Sequence, residues 1–285
     1  MAGRGQRQKK KGGIGNVIST LVLLIAIGIF CFAAWKLVTI YLDYKTGVDE
    51  YTALEEYADN EKVTEGLEDS MDANDTMGDE WGDAELTEHS GSSRFESMEN
   101  PIDFDSLQEI NPDVIGWLEM EAVDTINYPI VQGEDNDYYL HHTFDGQELK
   151  AGSIFMDCQN TADFSDMNTI IYGHNMKNDT MFGLLHDFEN KEGWEKDPYF
   201  YIDTPQGTWK YAIFSCFTVS DINYTIYYDP SEEYTAYLER LKKKSAYDTG
   251  VEVSGQDHIV TLSTCTSAGS EYRYIVNGVL VEKVK

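Results

Sequence analysis

The chain has 285 residues and a formal net charge of −30, from 51 acidic and 21 basic side chains. So negative a molecule lacks the basic surface that nucleic acid requires, and favours cationic partners or free amines. Its four cysteines, Cys31, Cys158, Cys216 and Cys265, form no CxxC pair and are too sparse for a disulfide framework, which argues against zinc-ribbon, dithiol-redox and disulfide-scaffold classes.

The first residues carry Arg4, Arg7, Lys9, Lys10 and Lys11 with no acid. An uncharged apolar run from Val17 to Trp35 follows, nearly long enough as a helix to cross the ~30 Å hydrocarbon core of a bilayer. Its basic flank predicts a cytoplasmic N-terminus and an exported body. The run is long for the core of a signal peptide, and no small-x-small site follows it, so an uncleaved anchor over 14–42, after a basic segment 1–13, is the expectation.

Residues 43–99 are crowded with acids and hold only Lys45, Lys62 and Arg94 as bases. The stretch from Glu61 to Ser93 has too little apolar surface to offset the entropy of ordering, which predicts a flexible, self-repelling stalk. Tyr51, Leu54 and Tyr57 mark a short juxtamembrane helix within it.

A globular pattern begins near Asn100. Phe104, Leu107, Ile110, Val114 and Leu118 recur at roughly helical spacing and predict helix over Ile102–Met120, broken at Asn111-Pro112. Strands are predicted at Val123–Val131, Ser153–Asp157, Asn168–Tyr172, Tyr199–Asp203, Thr208–Ser220, His258–Thr264 and Tyr272–Val284, with a turn at Thr204-Pro205-Gln206-Gly207. Two helices interrupt them. One is short, Thr180–Phe188. The other starts at Asp229 as N-cap with Pro230 first in the helix, and ends in Lys242-Lys243-Lys244, where cations suit the helix dipole. Many short strands and few helices predict a closed or nearly closed barrel. Cys158 and Cys216 fall in predicted strands and read as core.

Cys265 ends a β-rich run, His258 to Thr264, where a thiol can be rigidly held and yet partly exposed. A free thiol needs a cation or a base beside it to act as a nucleophile near neutrality. Arg273 lies in the next strand; if Thr266–Ser270 is the turn, the two side chains share a face. His174 follows the strand Thr169–Tyr172 and Gly173, on a loop where an imidazole exchanges protons. The other histidines fit this task less well. A metal site using His141 or His142 lacks the HExxH spacing, and no metal or cofactor is expected.

Thr261-Leu262-Ser263-Thr264-Cys265 with an arginine closely downstream resembles the TLxTC…R signature of sortases. Ile171-Tyr172-Gly173-His174-Asn175-Met176, with Met181-Phe182-Gly183 after it, is similar to the histidine segment of class B members. Asn111–Trp117, Tyr128–Gln132 and Gly152–Asp157 resemble further stretches of that class. The resemblance spans roughly 100–285 and implies an eight-stranded β-barrel with N-terminal helices and a helix between strands six and seven. It implies Cys265 as nucleophile, His174 as general acid and base, and Arg273 as oxyanion stabiliser. It also implies Ser263, Thr264, Tyr224 and Ile226 as substrate-binding residues, Tyr224 and Ile226 having ordinary packing as their alternative. The implied activity is cleavage of a C-terminal sorting motif after a threonine through a thioacyl-enzyme. The implied partners are an exported protein bearing that motif and a peptidoglycan precursor amine. A pilin-polymerising enzyme, whose acceptor is a lysine side chain, and a hydrolytic cysteine protease are the alternatives.

Overall fold

The computed structural model describes residues 14–58, 100–120, 126–196, 198–220, 226–267 and 269–284. The basic segment 1–13, the predicted stalk from Glu61 to Ser93, Tyr224 and the first part of the predicted strand Val123–Val131 lie outside them. The chain divides into two units between Thr46 and Gly47.

Helix α1 (Ile14–Leu54) runs through the first unit. From Ile18 to Leu42 its large apolar side chains are exposed, Phe30 and Leu37 among them. Among the described residues one helix is long and apolar enough to cross a membrane, and this is it. The last turns of α1 belong to the second unit and are packed. Tyr51 and Leu54 are buried. The Tyr51 hydroxyl donates to the Gly152 carbonyl at 2.6 Å, and its ring meets Tyr128 edge-on at 5.3 Å. After a 3-10 turn (Glu55–Tyr57), Ala58 pairs with Ile102 as an isolated bridge. The described body therefore begins at Gly47, ahead of the start near Asn100 that the acid-rich composition suggests.

Helix α2 (Phe104–Ile110) is capped by Asp103, whose carboxylate accepts from the Ser106 N–H at 3.0 Å. The predicted second half of this helix is instead strand β1 (Val114–Glu119). Asn111 turns the chain: its amide donates to Tyr139 Oη and the Phe144 carbonyl, and its side-chain oxygen accepts from the Asp113 N–H. Val114 and Leu118 mimic helical spacing, but β1 gains ladder partners on both edges, β2 (Asn127–Val131) and β5 (Tyr199–Thr204). That tertiary pairing overrides the local period.

The one-turn helix α3 (Tyr138–His141), β3 (Ile154–Met156) and β4 (Asn168–Tyr172) come next. A 3-10 segment (Gly183–Glu189) stands where a short helix is predicted, and α4 (Lys191–Lys196) follows it. After β5, β6 (Gly207–Val219), α5 (Tyr234–Lys244), β7 (Ile259–Thr266) and β8 (Gly269–Val284) complete the chain. The strands close in the order β1-β2-β3-β4-β7-β8-β6-β5. Closure leaves no unpaired sheet edge.

Helix α5 lies between strands six and seven, as expected, but starts later than the sequence suggests. Asp229 caps a turn, its carboxylate accepting from the Ser231 N–H, while Glu232 pairs with Arg240 at 3.0 Å. Cys216 is buried in β6; Cys158 is half-buried and falls just after β3 rather than within a strand.

Both faces of the β4-β7-β8 sheet are covered over part of their length. Ile171, Leu262, Tyr274 and Val276 join the main core of the barrel. Ile170, Ile259 and Ile275 alternate with them and form a second core with Tyr237, Leu238 and Leu241 of α5. Alternation along a strand sends successive side chains to opposite faces, so the second core marks the outer face of this sheet.

Candidate active site

The outer face leads directly to the cysteine. Thr261, Ser263 and Cys265 follow Ile259 at every second position of β7 and so share its face. On β8 their antiparallel partners are Asn277, Ile275 and Arg273. Cys265 and Arg273 are thus cross-strand partners on one face, the arrangement in which side chains of neighbouring strands interact. Helix α5 covers the lower part of this face, and Cys265 and Arg273 are both partly exposed at its end.

His174 reaches the same place from the other side. β4 runs parallel to β7, with Ile170 beside Thr261 and Tyr172 beside Ser263. The Gly173 N–H still donates to the Ser263 carbonyl at 3.2 Å. His174 lies two residues after Tyr172, just past the end of β4, and the Arg273 charge acts on its imidazole.

The histidine segment is held by several hydrogen bonds. Thr264 Oγ1 donates to the Gly173 carbonyl at 2.8 Å, and the Phe182 N–H donates to the His174 carbonyl at 2.9 Å. His174 Nε2 lies 2.8 Å from the Leu140 carbonyl. A carbonyl only accepts, so Nε2 carries the proton and Nδ1 is left for chemistry. The Leu140 carbonyl is offered because α3 is a single turn; its neighbours are taken by the Ser153 and Leu149 N–H groups, on Tyr139 and His141 respectively. Burial lowers the His174 pKa, the bond to Leu140 opposes this, and the nearby His141 and Arg273 add to the lowering. The imidazole is held toward its neutral form. A Cβ on Gly173 would stand 2.5 Å from Ile154 Cδ1 and 2.7 Å from the Phe182 ring, so only glycine passes here without moving its neighbours.

The predicted substrate-binding residues separate. Ser263 lies two positions before Cys265 on the same face; its hydroxyl is buried and has no hydrogen-bond partner among the described residues. The Thr264 hydroxyl is committed to Gly173. Ile226 is fully buried in the second core, and its carbonyl accepts from Asn168 Nδ2 and Tyr237 Oη. That is its ordinary packing alternative, and its side chain does not join the cysteine.

Several residues around the site were passed over in the sequence. Asp157, almost fully buried, accepts from Tyr172 Oη at 2.8 Å, Tyr227 Oη at 2.9 Å and Asn136 Nδ2 at 3.1 Å. This anchors Tyr172, which neighbours Ser263 on the outer face. Asn175 Nδ2 donates to the Cys265 carbonyl at 2.9 Å. His186 Nε2 lies 3.1 Å from that same carbonyl. Only the position of Asn175 beside His174 gave any hint; the rest depends on contacts far apart in sequence. Among the described residues no group of three or more His, Cys, Asp or Glu side chains has the arrangement of a metal site.

A closed eight-stranded barrel with a cysteine and an arginine facing each other across its seventh and eighth strands, and a histidine at the end of the fourth, defines the sortase class of protein. A sequence model of the sortase domain matches residues 118–281, and the chain belongs to the sortase family. Within it, the relatives are class B. Sortase B of Listeria monocytogenes is 34% identical over 276 residues, covering 95% of this chain and 99% of that protein. The crystal structure of B. anthracis sortase B in complex with AAEK1 superposes with a TM-score of 0.57 at 40% identity, covering 63% of this chain and 84% of that one. The Staphylococcus aureus sortase B–substrate complex gives 0.59 at 34% identity, covering 64% and 85%. This chain is a class B sortase, and cell-wall transpeptidation is the activity its family supports.

Proposed function

We propose that this chain cleaves a C-terminal sorting motif after a threonine and joins the protein to a cell-wall amine through a thioester on Cys265. The observation that carries the reading is the cross-strand pairing of Cys265 with Arg273 at the open end of the outer face, with His174 two residues past the end of the neighbouring β4 and under the influence of the Arg273 charge. The Cys265 thiol passes its proton to His174 Nδ1, and the thiolate attacks the threonine carbonyl. The Arg273 guanidinium stabilises the oxyanion that forms. The imidazolium protonates the leaving amine as the tetrahedral intermediate collapses to the thioester. The acceptor amine then attacks, His174 takes its proton, and the thiolate is released. The unpartnered Ser263 hydroxyl, two positions below the nucleophile, is where the bound peptide finds a hydrogen bond.

The basic segment 1–13 and the apolar stretch 14–42 form a single-pass anchor with a cytoplasmic N-terminus. The acid-rich stretch after the first packed turns of the body acts as a spacer, and the catalytic body lies outside the membrane. The test is mass spectrometry of the protein incubated with threonine-containing pentapeptides. A thioester adduct on Cys265, resolved by a wall-type amine, supports the reading. Adducts that survive Cys265→Ala overturn it. Release by water alone points to a hydrolytic protease, and transfer only to a lysine side chain points to pilin polymerisation.

A further inference from the structure

One titratable pair near the site has no place in that chemistry. His186 and Glu189 belong to the 3-10 segment Gly183–Glu189. His186 Nδ1 lies 2.7 Å from Glu189 Oε1, and its Nε2 lies 3.1 Å from the Cys265 carbonyl oxygen. The ring stacks on Tyr274, with centroids 4.9 Å apart and planes 26° apart. Tyr274 is the cross-strand partner of Thr264, so it faces the barrel interior, opposite to Cys265 and Arg273. His186 therefore approaches the nucleophile's backbone from behind and does not meet the sulfur's face.

The ladder explains why the carbonyl needs it. On the β4 side of β7, the Ser263 carbonyl accepts from the Gly173 N–H. The next carbonyl on that edge is that of Cys265, but β4 has already ended at Tyr172. Side chains replace the missing backbone donor. Asn175 Nδ2 lies 2.9 Å from the Cys265 oxygen and 3.0 Å from His186 Nε2. The register of β7 with β8 also shifts between Cys265 and Thr266, so the regular ladder falters at this residue.

We propose that His186, oriented by Glu189, is a positioning residue that works with Asn175 to clamp the Cys265 carbonyl and hold the nucleophile's backbone where β4 no longer supports it. The clamp works in both charge states of the ring. As imidazolium, His186 donates through Nδ1 to Glu189 and through Nε2 to the carbonyl, which has two lone pairs and accepts Asn175 as well. As neutral imidazole with its proton on Nδ1, it accepts the second N–H of Asn175 and aims the first at the carbonyl. The proposal rests on the reading of Cys265 as nucleophile. Its effect is on alignment, to which reaction at a bound substrate is steeply sensitive.

The test uses the full chain. Labelling Cys carbonyl carbons with ¹³C and Thr nitrogens with ¹⁵N gives one correlated pair, Cys265–Thr266, because no other cysteine precedes a threonine. In His186→Ala this carbonyl resonance moves upfield as a hydrogen bond is lost, kcat for peptide transfer falls about 10- to 100-fold, and KM stays within about twofold of wild type. His186→Gln, which retains a side-chain N–H, restores part of both. Glu189→Gln, a half-exposed position, lowers kcat less. Should His186→Ala fail to fold, His186→Gln and Glu189→Gln carry the same two measurements. An unchanged carbonyl resonance, or a kcat that holds while only thermal stability drops, overturns the proposal. Transfer that persists in Cys265→Ala would instead overturn the reading of the nucleophile, leaving the carbonyl measurement to stand by itself.

Discussion

Arg273 sits directly across the β7–β8 ladder from Cys265, and its charge also helps hold His174 toward the neutral imidazole. One guanidinium thus faces the proposed nucleophile and biases the histidine proposed as its proton-transfer partner. Arg273→Lys keeps a positive charge but loses the planar fork of donors. We expect it to lower transpeptidation by about 10²–10³, the usual cost of a lost oxyanion donor, with the circular dichroism spectrum unchanged. Activity within about threefold of wild type would remove Arg273 from the oxyanion's role.

The same relationship predicts how His174 titrates. Arg273 and His141 both disfavour its imidazolium, so replacing either by glutamine moves the His174 pKa upward, read by NMR of the ring protons. The consequence for stability has a definite sign. The folded-state pKa lies below the ordinary 6.5, so in the window just under 6.5 the unfolded chain binds more protons than the folded one. Stability from this group is fully present above that window and is lost as pH falls through the folded pKa. His174→Gln should flatten the dependence of the urea midpoint on pH between neutrality and mild acid. A midpoint that rises on acidification in the wild type, and loses that rise in the variant, would reverse the sign and refute the account.

The ring of His174 also depends on a glycine remote in sequence. Gly152 has φ +56°, and a Cβ there would stand 2.7 Å from the Tyr139 carbonyl oxygen and 2.8 Å from that of Leu140, the acceptor for His174 Nε2. Gly152→Ala strains the backbone and pushes on that acceptor. We expect a loss of about 1–3 kcal/mol in stability and a drop in kcat larger than any change in KM, checked by denaturant melts and steady-state kinetics. Wild-type kcat in a folded variant would sever the link between Gly152 and His174.

The Cys265–Arg273 pair was legible because a short turn between two strands fixes register and alternation together, so both faces follow from counting. β4 was legible because Ile170, Ile171 and Tyr172 form a short β-prone run ending at a glycine. β1 was not. Val114 and Leu118 continue the spacing of Phe104, Leu107 and Ile110, and only the pairing of Trp117 with Pro129 and Asp203 decides for a strand. His186 falls within the predicted helix Thr180–Phe188, and nothing local marks its partner, the Cys265 carbonyl, 79 positions away. Ile226 looked like groove lining before a helix, yet Asn168 and Tyr237 bind its carbonyl and draw it into the core. Each miss is a long-range contact that local pattern does not carry.

The start of the catalytic body makes the last case. Between residues 43 and 99 acids dominate, and composition alone assigns the whole stretch to a spacer. Yet Tyr51 and Leu54 are buried, and the Tyr51 hydroxyl donates to Gly152, one residue before Ser153, whose own N–H holds the carbonyl of Tyr139 beside Leu140. Burying two such side chains contributes about 3 kcal/mol or more, and the buried hydrogen bond about 1 kcal/mol. A soluble protein starting at Gly47 should therefore melt at clearly higher temperature than one starting at Asn100, and Tyr51→Phe in the longer form should lose only the small hydrogen-bond part of the difference. Because the same contacts brace the segment that presents the Leu140 carbonyl, the shorter form should also lose kcat, with the His174 ring resonances shifted or broadened. Equal melting temperatures for the two forms would show that Tyr51 and Leu54 lie on the barrel without stabilising it, and would return the boundary to Asn100.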